Sequence, residues 1–254
     1  MKIAIADLPA LLDEAGIPTG IRAKLDGNPH ALLRVMDSLG EIDFDVIETT
    51  RAYAFLAVID RSTSVRRFRD TLIECYRGTV DELKTVKTTG TLLVGCTAIT
   101  SEVEGGEVIL PFQPIGRVKI DDNFEFVPSG STPMYDTMVI SLVAMRVLVV
   151  LAKRNRIQLT AMVYLVSDGD DVGSVHFGAA DTAEMAALMT TGRRKHRISA
   201  VAVGTSLLHE FAEMGIDKDA VREIGTDAES LHQLFEEMSA SVTATSQGGD
   251  TGGF

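Results

Sequence analysis

The chain has 254 residues, 45% of them apolar, and only two cysteines, Cys75 and Cys96, neither with a CxxC partner. That composition suffices for a sizeable core and argues against global disorder, a disulfide framework or a cysteine-built zinc site. A formal net charge of -12 supplies no global basic field, so nucleic acid is not an expected partner, although a local basic patch stays open.

Residues 1–50 read as an N-terminal helical extension. Asp7 caps a first helix with Pro9 in its opening turn, and Gly16 to Gly20 breaks it. Asn28, Pro29 and Gly40 bracket a second helix. Its Leu32, Leu33, Val35, Met36 and Leu39 form an apolar face that must be covered, by the main domain or by a docking partner.

The main domain is expected over residues 51–242. The run Ala54 to Ile59 is wholly apolar and ends in Asp60, as in a strand buried on both faces. Val65 to Lys87 follows at helical spacing, then a second strand from Thr91 to Ile99. Gly105-Gly106 signals a hairpin into a short third strand, Val108 to Phe112, whose Pro111 suits a sheet edge. Pro133 opens a helix from Met134 to about Arg154. Its longest apolar stretch, Val139 to Ala152, is interrupted by Ser141 and Arg146 and falls short of the roughly 20 residues needed to span a bilayer.

Leu159 to Val166 is a fourth strand, ending in Ser167-Asp168-Gly169-Asp170-Asp171. Asp181 caps a helix through Leu188, and Ile198 to Val203 is a fifth strand. Helical patterns follow near Ser206–Met214 and Asp219–Ile224, then an amphipathic helix from Asp227 to Val242. Residues 243–254 read as a flexible tail. Strands alternating with helices predict an α/β fold: a doubly wound, mainly parallel sheet with one antiparallel edge strand and helices on both faces. The early acidic Asp7 does not fit a signal peptide, and with reduced cysteines the expectation is a soluble, cytoplasmic protein without membrane contact.

Three loops carry oxygen ligands. The first holds Asp60, Ser62 and Ser64, the second Thr132, and the third Asp168. Carboxylates and hydroxyls at strand ends suit a hard cation in the crevice of an open sheet. Each loop has a plainer reading alone: Ser62 and Ser64 as helix caps, Thr132 as an N-cap, Asp168-Gly169 as a turn. In this order the Asp-x-Ser-x-Ser, Gly-Ser-Thr-Pro and Ser-Asp-Gly motifs resemble the von Willebrand factor A domain over most of residues 51–242. Within that family the chain resembles bacterial tellurium-resistance-type members, with a comparable Ser/Val-rich segment at Met238 to Ser246.

The resemblance implies a metal-ion-dependent adhesion site. Ser62, Ser64 and Thr132 would reach Mg2+ through hydroxyls, with Asp60 and Asp168 direct or through water; Mn2+ or Ca2+ could substitute. It implies a non-enzymatic module binding an acidic group of a protein partner. Thr63 and Val65 replace the common Gly and Met of the first motif, leaving the ligands intact but altering the rim. Arg61, Arg66 and Asp170 are candidate partner-binding rim residues, with Arg67 and Arg69 alongside; a solvated helix face is the plainer reading of the arginines. The alternative function is a Mg2+-dependent phosphohydrolase with Asp60 as nucleophile, for which Ser62 stands where a second acid is expected.

Overall fold

Strand β1 (Arg51–Asp60) presents no polar face, and every residue from Ala52 onward is buried. Such a strand belongs inside a sheet with both faces covered. In the computed structural model, which describes residues 7–40, 42–47, 49–119, 126–191 and 196–247, β1 is flanked by parallel neighbours β2 (Thr91–Ile99) and β4 (Gln158–Ser167). Strand β5 (Arg197–Val203) continues in parallel beyond β4, and β6 (Val221–Ile224) beyond β5. Strand β3 (Glu107–Pro114) pairs antiparallel with β2 and forms the edge, as Pro111 requires. The order is β3-β2-β1-β4-β5-β6, and the connections reverse direction between β1 and β4. In doubly wound sheets that switch point, at the strands' carboxyl ends, is where ligands bind.

The pleat divides β1 between two cores. Ala54, Leu56 and Val58 pack into one and Phe55, Ala57 and Ile59 into the other. The second core is covered by α4 (Arg69–Thr85) and α8 (Ala228–Ser246). The first is covered by α5 (Met134–Arg154), α6 (Ala179–Thr190) and α7 (Leu208–Glu213). By length and composition α5 could cross a membrane, but 89% of its apolar window is buried in the molecule. It is apolar on every side because it lies between the sheet and other helices.

Helices α1 (Leu8–Glu14), α2 (Thr19–Asp26) and α3 (Pro29–Leu39) supply that outer cover and share the first core. Thus the apolar face of α3 packs on the main domain, with Leu33 left exposed. Arg146, the charge inside α5, explains itself here: its guanidinium donates to the Ala15 carbonyl at the end of α1 (2.8 Å). Arg154 adds an ion pair with Glu14 (2.6 Å). Both cysteines are buried; burial pushes the Cys75 thiol up to about 11 and Cys96 up to about 12.

Several expectations needed correction. The segment after β1 does not enter an α-helix at Val65: Thr63–Phe68 is a 3-10 helix, and α4 begins at Arg69. Val65 and Phe68, three apart, are its buried residues, which fits three residues per turn. Asp219–Ile224 is not helical; Lys218–Ala220 is a 3-10 turn, and β6 covers the outer edge of β5 that would otherwise be unpaired. Helix α2 was not expected. Helix α8 runs four residues past Val242, because the Ser246 carbonyl accepts the Thr89 N–H (3.1 Å) and hydroxyl (2.7 Å). Residues 248–254 of the expected tail, and Arg193, Arg194 and Lys195 of the basic run before β5, lie outside the described residues. His196, within that run of Arg193 to Arg197, is buried and its Nδ1 accepts the Ala161 N–H (3.0 Å).

Candidate metal centre

Asp60 ends β1 with 1% of its surface exposed. One carboxylate oxygen accepts the Ser62 N–H (2.7 Å), an Asx-type turn that reverses the chain. The other accepts the Ser167 hydroxyl from the end of β4 (2.6 Å). Beyond the turn, the Ser62 and Ser64 hydroxyls lie 2.8 Å apart. Ser64 donates to Asp168 Oδ1 at 2.6 Å. Four of the five expected ligands, Asp60, Ser62, Ser64 and Asp168, are thereby joined in one hydrogen-bonded cluster that includes Ser167.

Thr132, buried on the middle loop, is held by its backbone: its carbonyl accepts the Val172 N–H (2.8 Å) from the Asp168 loop. The same middle loop reaches the first, where Gly130 O accepts both the N–H (3.2 Å) and the hydroxyl (3.1 Å) of Thr63. Gly130 must be glycine, since its φ is +72° and a Cβ there would lie 2.3 Å from Ser101 Oγ. Each pair of loops is therefore cross-linked at the switch of the sheet, Thr132 through its backbone and the other four residues through their hydrogen-bonded cluster.

The donor chemistry fits a hard divalent cation. Two carboxylates and three hydroxyls are oxygen donors only. Among the described residues no group of three His, Cys, Asp or Glu side chains is arranged to hold a metal. One atom calls for a cation directly: Asp168 Oδ2 is buried without a hydrogen-bond partner. Its nearest opposite charge is the largely exposed Arg67, Nη2 at 3.8 Å. Burial raises the Asp60 carboxyl above its ordinary range; hydrogen bonds from Ser167 and Ser62 oppose this, and the Asp168 charge adds to it.

The rim residues separate. Arg66 and Asp170 are exposed, but Arg61 is 7% exposed and ion-paired with Glu107 of β3. Arg61 is thus engaged with β3, and the guanidinium that reaches the cluster is that of Arg67. Sequence reasoning gave no role to Ser167, Asp136 or Asp171. Asp136, buried in the first turn of α5, accepts the N–H groups of Val175 (2.9 Å), His176 (3.2 Å) and Phe177 (2.7 Å). Asp171 accepts the Tyr135 N–H (3.0 Å) at the same helix start. Together they hold the Asp168 loop against α5; the available signal was an acid in a helix first turn.

A six-stranded doubly wound sheet, with oxygen-bearing loops at its switch point, defines the architecture of the von Willebrand factor A type. Solved structures agree on the fold. The chain resembles the pilus adhesin SpaC from Lactobacillus rhamnosus GG in its open conformation, with TM-score 0.60 and 10% identity over 77% of this chain and 30% of that one. It resembles proximal thread matrix protein 1 from the mussel byssus, solved with a zinc-occupied MIDAS motif, with TM-score 0.50 and 15% identity over 76% and 46%. A von Willebrand factor type A protein from Catenulispora acidiphila overlaps with TM-score 0.48 and 17% identity over 76% and 43%. The chain spans less than half the length of each. No family model matches the sequence, and no curated protein matches it.

Proposed function

We propose that the chain is a protein-interaction module that captures an acidic group of a partner through Mg2+, with Mn2+ or Ca2+ as substitutes. Asp60, Ser62, Ser64, Thr132 and Asp168 would hold the ion. The observation that carries this reading is the buried Asp168 Oδ2, which accepts no hydrogen bond and has only the largely exposed Arg67 at 3.8 Å, inside a cluster of oxygen donors tied across the loops. The zinc in the mussel protein's motif supports a divalent ion at the corresponding place. When bound, the ion supplies a Lewis-acidic position for a carboxylate; neutral hydroxyls around it leave it short of electron density.

The chain's own residues do the positioning. Ser167 and the Ser62 N–H fix the Asp60 carboxylate, and Ser64 fixes Asp168. Ser62 stands where a phosphohydrolase needs a second acid to protonate the leaving group and cannot serve as one, which favours binding over phosphoryl chemistry. Resemblance of the last helix to tellurium-resistance-type proteins supports a place in a bacterial cytoplasmic stress-response complex. The test is calorimetric titration of Mg2+ into the wild type and Asp60→Asn, with phosphatase activity followed in parallel. Binding by the wild type alone, without turnover, is the expected result. Equal affinity in the two proteins, or Mg2+-dependent turnover lost in Asp60→Asn, would overturn it.

A further inference from the structure

Five large apolar side chains are exposed among the described residues, and four stand on segments at the candidate centre's end of the sheet: Val127, Val172, Val175 and Leu208. Isolated exposed valines need no explanation, but a concentration on one face marks a contact surface. Val172 and Val175 are 58% and 75% exposed. Their backbones are nevertheless fixed, since the Val172 N–H is bonded to Thr132 O and the Val175 N–H to Asp136. Apolar side chains held outward on an immobilised loop lose little freedom when covered.

The first loop adds cations. Arg66 and Arg67 are exposed on the 3-10 turn that follows Ser62, and Arg67 reaches Asp168. Among the described residues Arg66 has no ion pair. The loops that carry the donor oxygens thus also carry two exposed arginines, on the first, and two exposed valines, on the third. The body of the protein, at net charge -12, repels an acidic partner at long range, so local cations have to secure recognition.

Building on the metal-site reading, we propose that the partner segment carries two adjacent acidic residues followed by apolar ones. One carboxylate meets the bound ion, the other meets Arg66 and Arg67, and the apolar side chains cover Val172 and Val175. The test uses three labelled Gly/Ser peptides identical except for a central Asp-Asp-Leu-Leu, Asp-Asp-Ser-Ser or Asn-Asn-Leu-Leu. Their affinities are measured by fluorescence anisotropy, with Mg2+ or chelator, for the full wild-type chain and the double variant Val172→Ser/Val175→Ser. Both side chains are exposed, so the variant keeps its fold and its Mg2+ affinity.

With Mg2+ the wild type binds the Asp-Asp-Leu-Leu peptide about tenfold tighter than the Asp-Asp-Ser-Ser peptide, about 1.4 kcal/mol. The double variant reduces that preference to about twofold. Equal affinity of the wild type for these two peptides, or a preference kept by the variant, overturns the apolar half. A wild-type dimer that the double variant dissolves in sedimentation assigns the face to a second copy and also overturns it. Absence of Mg2+ binding by the wild type, or Asp-Asp-Leu-Leu binding unchanged by chelator or by Asn for Asp, removes the metal reading as well and identifies that as the point of failure.

Discussion

Replacing Asp60 with Asn separates the charge of the centre from its packing. Asn is nearly the same shape and keeps an oxygen to accept the Ser62 N–H. Its amide can donate to Ser167 Oγ, whose proton is free to turn fully to Gly169 O, already within 3.1 Å. No buried polar atom is left without a partner, so the usual cost of losing a buried hydrogen bond does not arise. The carboxylate itself is held above its ordinary pKa, chiefly by burial. A carboxyl whose folded pKa is raised contributes stability below its unfolded value of about 4, and that contribution is lost as pH rises through the folded value. At neutral pH and without metal, Asp60→Asn is therefore expected to melt at or above the wild-type temperature. The downward step in wild-type stability above about pH 4 is expected to disappear.

Metal reverses the order. A ligand at 100 times its Kd stabilises the folded state by about 2.7 kcal/mol. At about 2–4 °C per kcal/mol for a chain of this size, the wild-type Tm rises by about 5–11 °C while that of Asp60→Asn stays within about 1 °C. Differential scanning calorimetry with Mg2+ or chelator, across pH 3 to 8, checks both halves. An equal Mg2+ shift in the two proteins, or a wild type that no divalent ion stabilises, would refute the reasoning.

Other predictions follow from contacts beyond the ligands. Asp136→Ala leaves three backbone N–H groups without their acceptor and is expected to cost about 3 kcal/mol, lowering Tm by about 6–12 °C in thermal melts. Truncation after Val242 removes the Ser246 carbonyl that holds Thr89, and is expected to cost about 1–2 kcal/mol in urea unfolding; a silent truncation would show that the last turn of α8 is dispensable. Gly106→Ala places a Cβ 2.6 Å from Thr137 Cγ2 at φ +86°, and a loss of about 1–3 kcal/mol is expected by the same measurement.

What the sequence determined by itself was local. The unbroken apolar run before Asp60 sufficed to place β1 inside a covered sheet, because a strand with no polar face cannot meet water. Pro133 marked the start of α5 at Met134, since a cap acts within one turn, and the expected end near Arg154 is where the helix stops. Asp60, Ser62, Ser64, Thr132 and Asp168 could be read as a set only from the order of the three motifs and the family they resemble, since each motif alone has a plainer reading as a cap or a turn.

Tertiary structure decided whatever depends on a distant partner. Arg61 looked like a rim cation from its neighbour Asp60, yet it is buried and paired with Glu107 on β3. Asp136 read as one more acid in a helix first turn, and only the folded chain brings three N–H groups of another loop to its carboxylate. The pattern at residues 219–224 suited a helix until the open edge of β5 offered hydrogen bonds that a helix could not use. Likewise α8 continues past Val242 because Thr89, far off in sequence, supplies donors for the Ser246 carbonyl. Alternation, caps and motif spacing act over a few residues, whereas ion pairs and strand edges are settled only when remote segments meet.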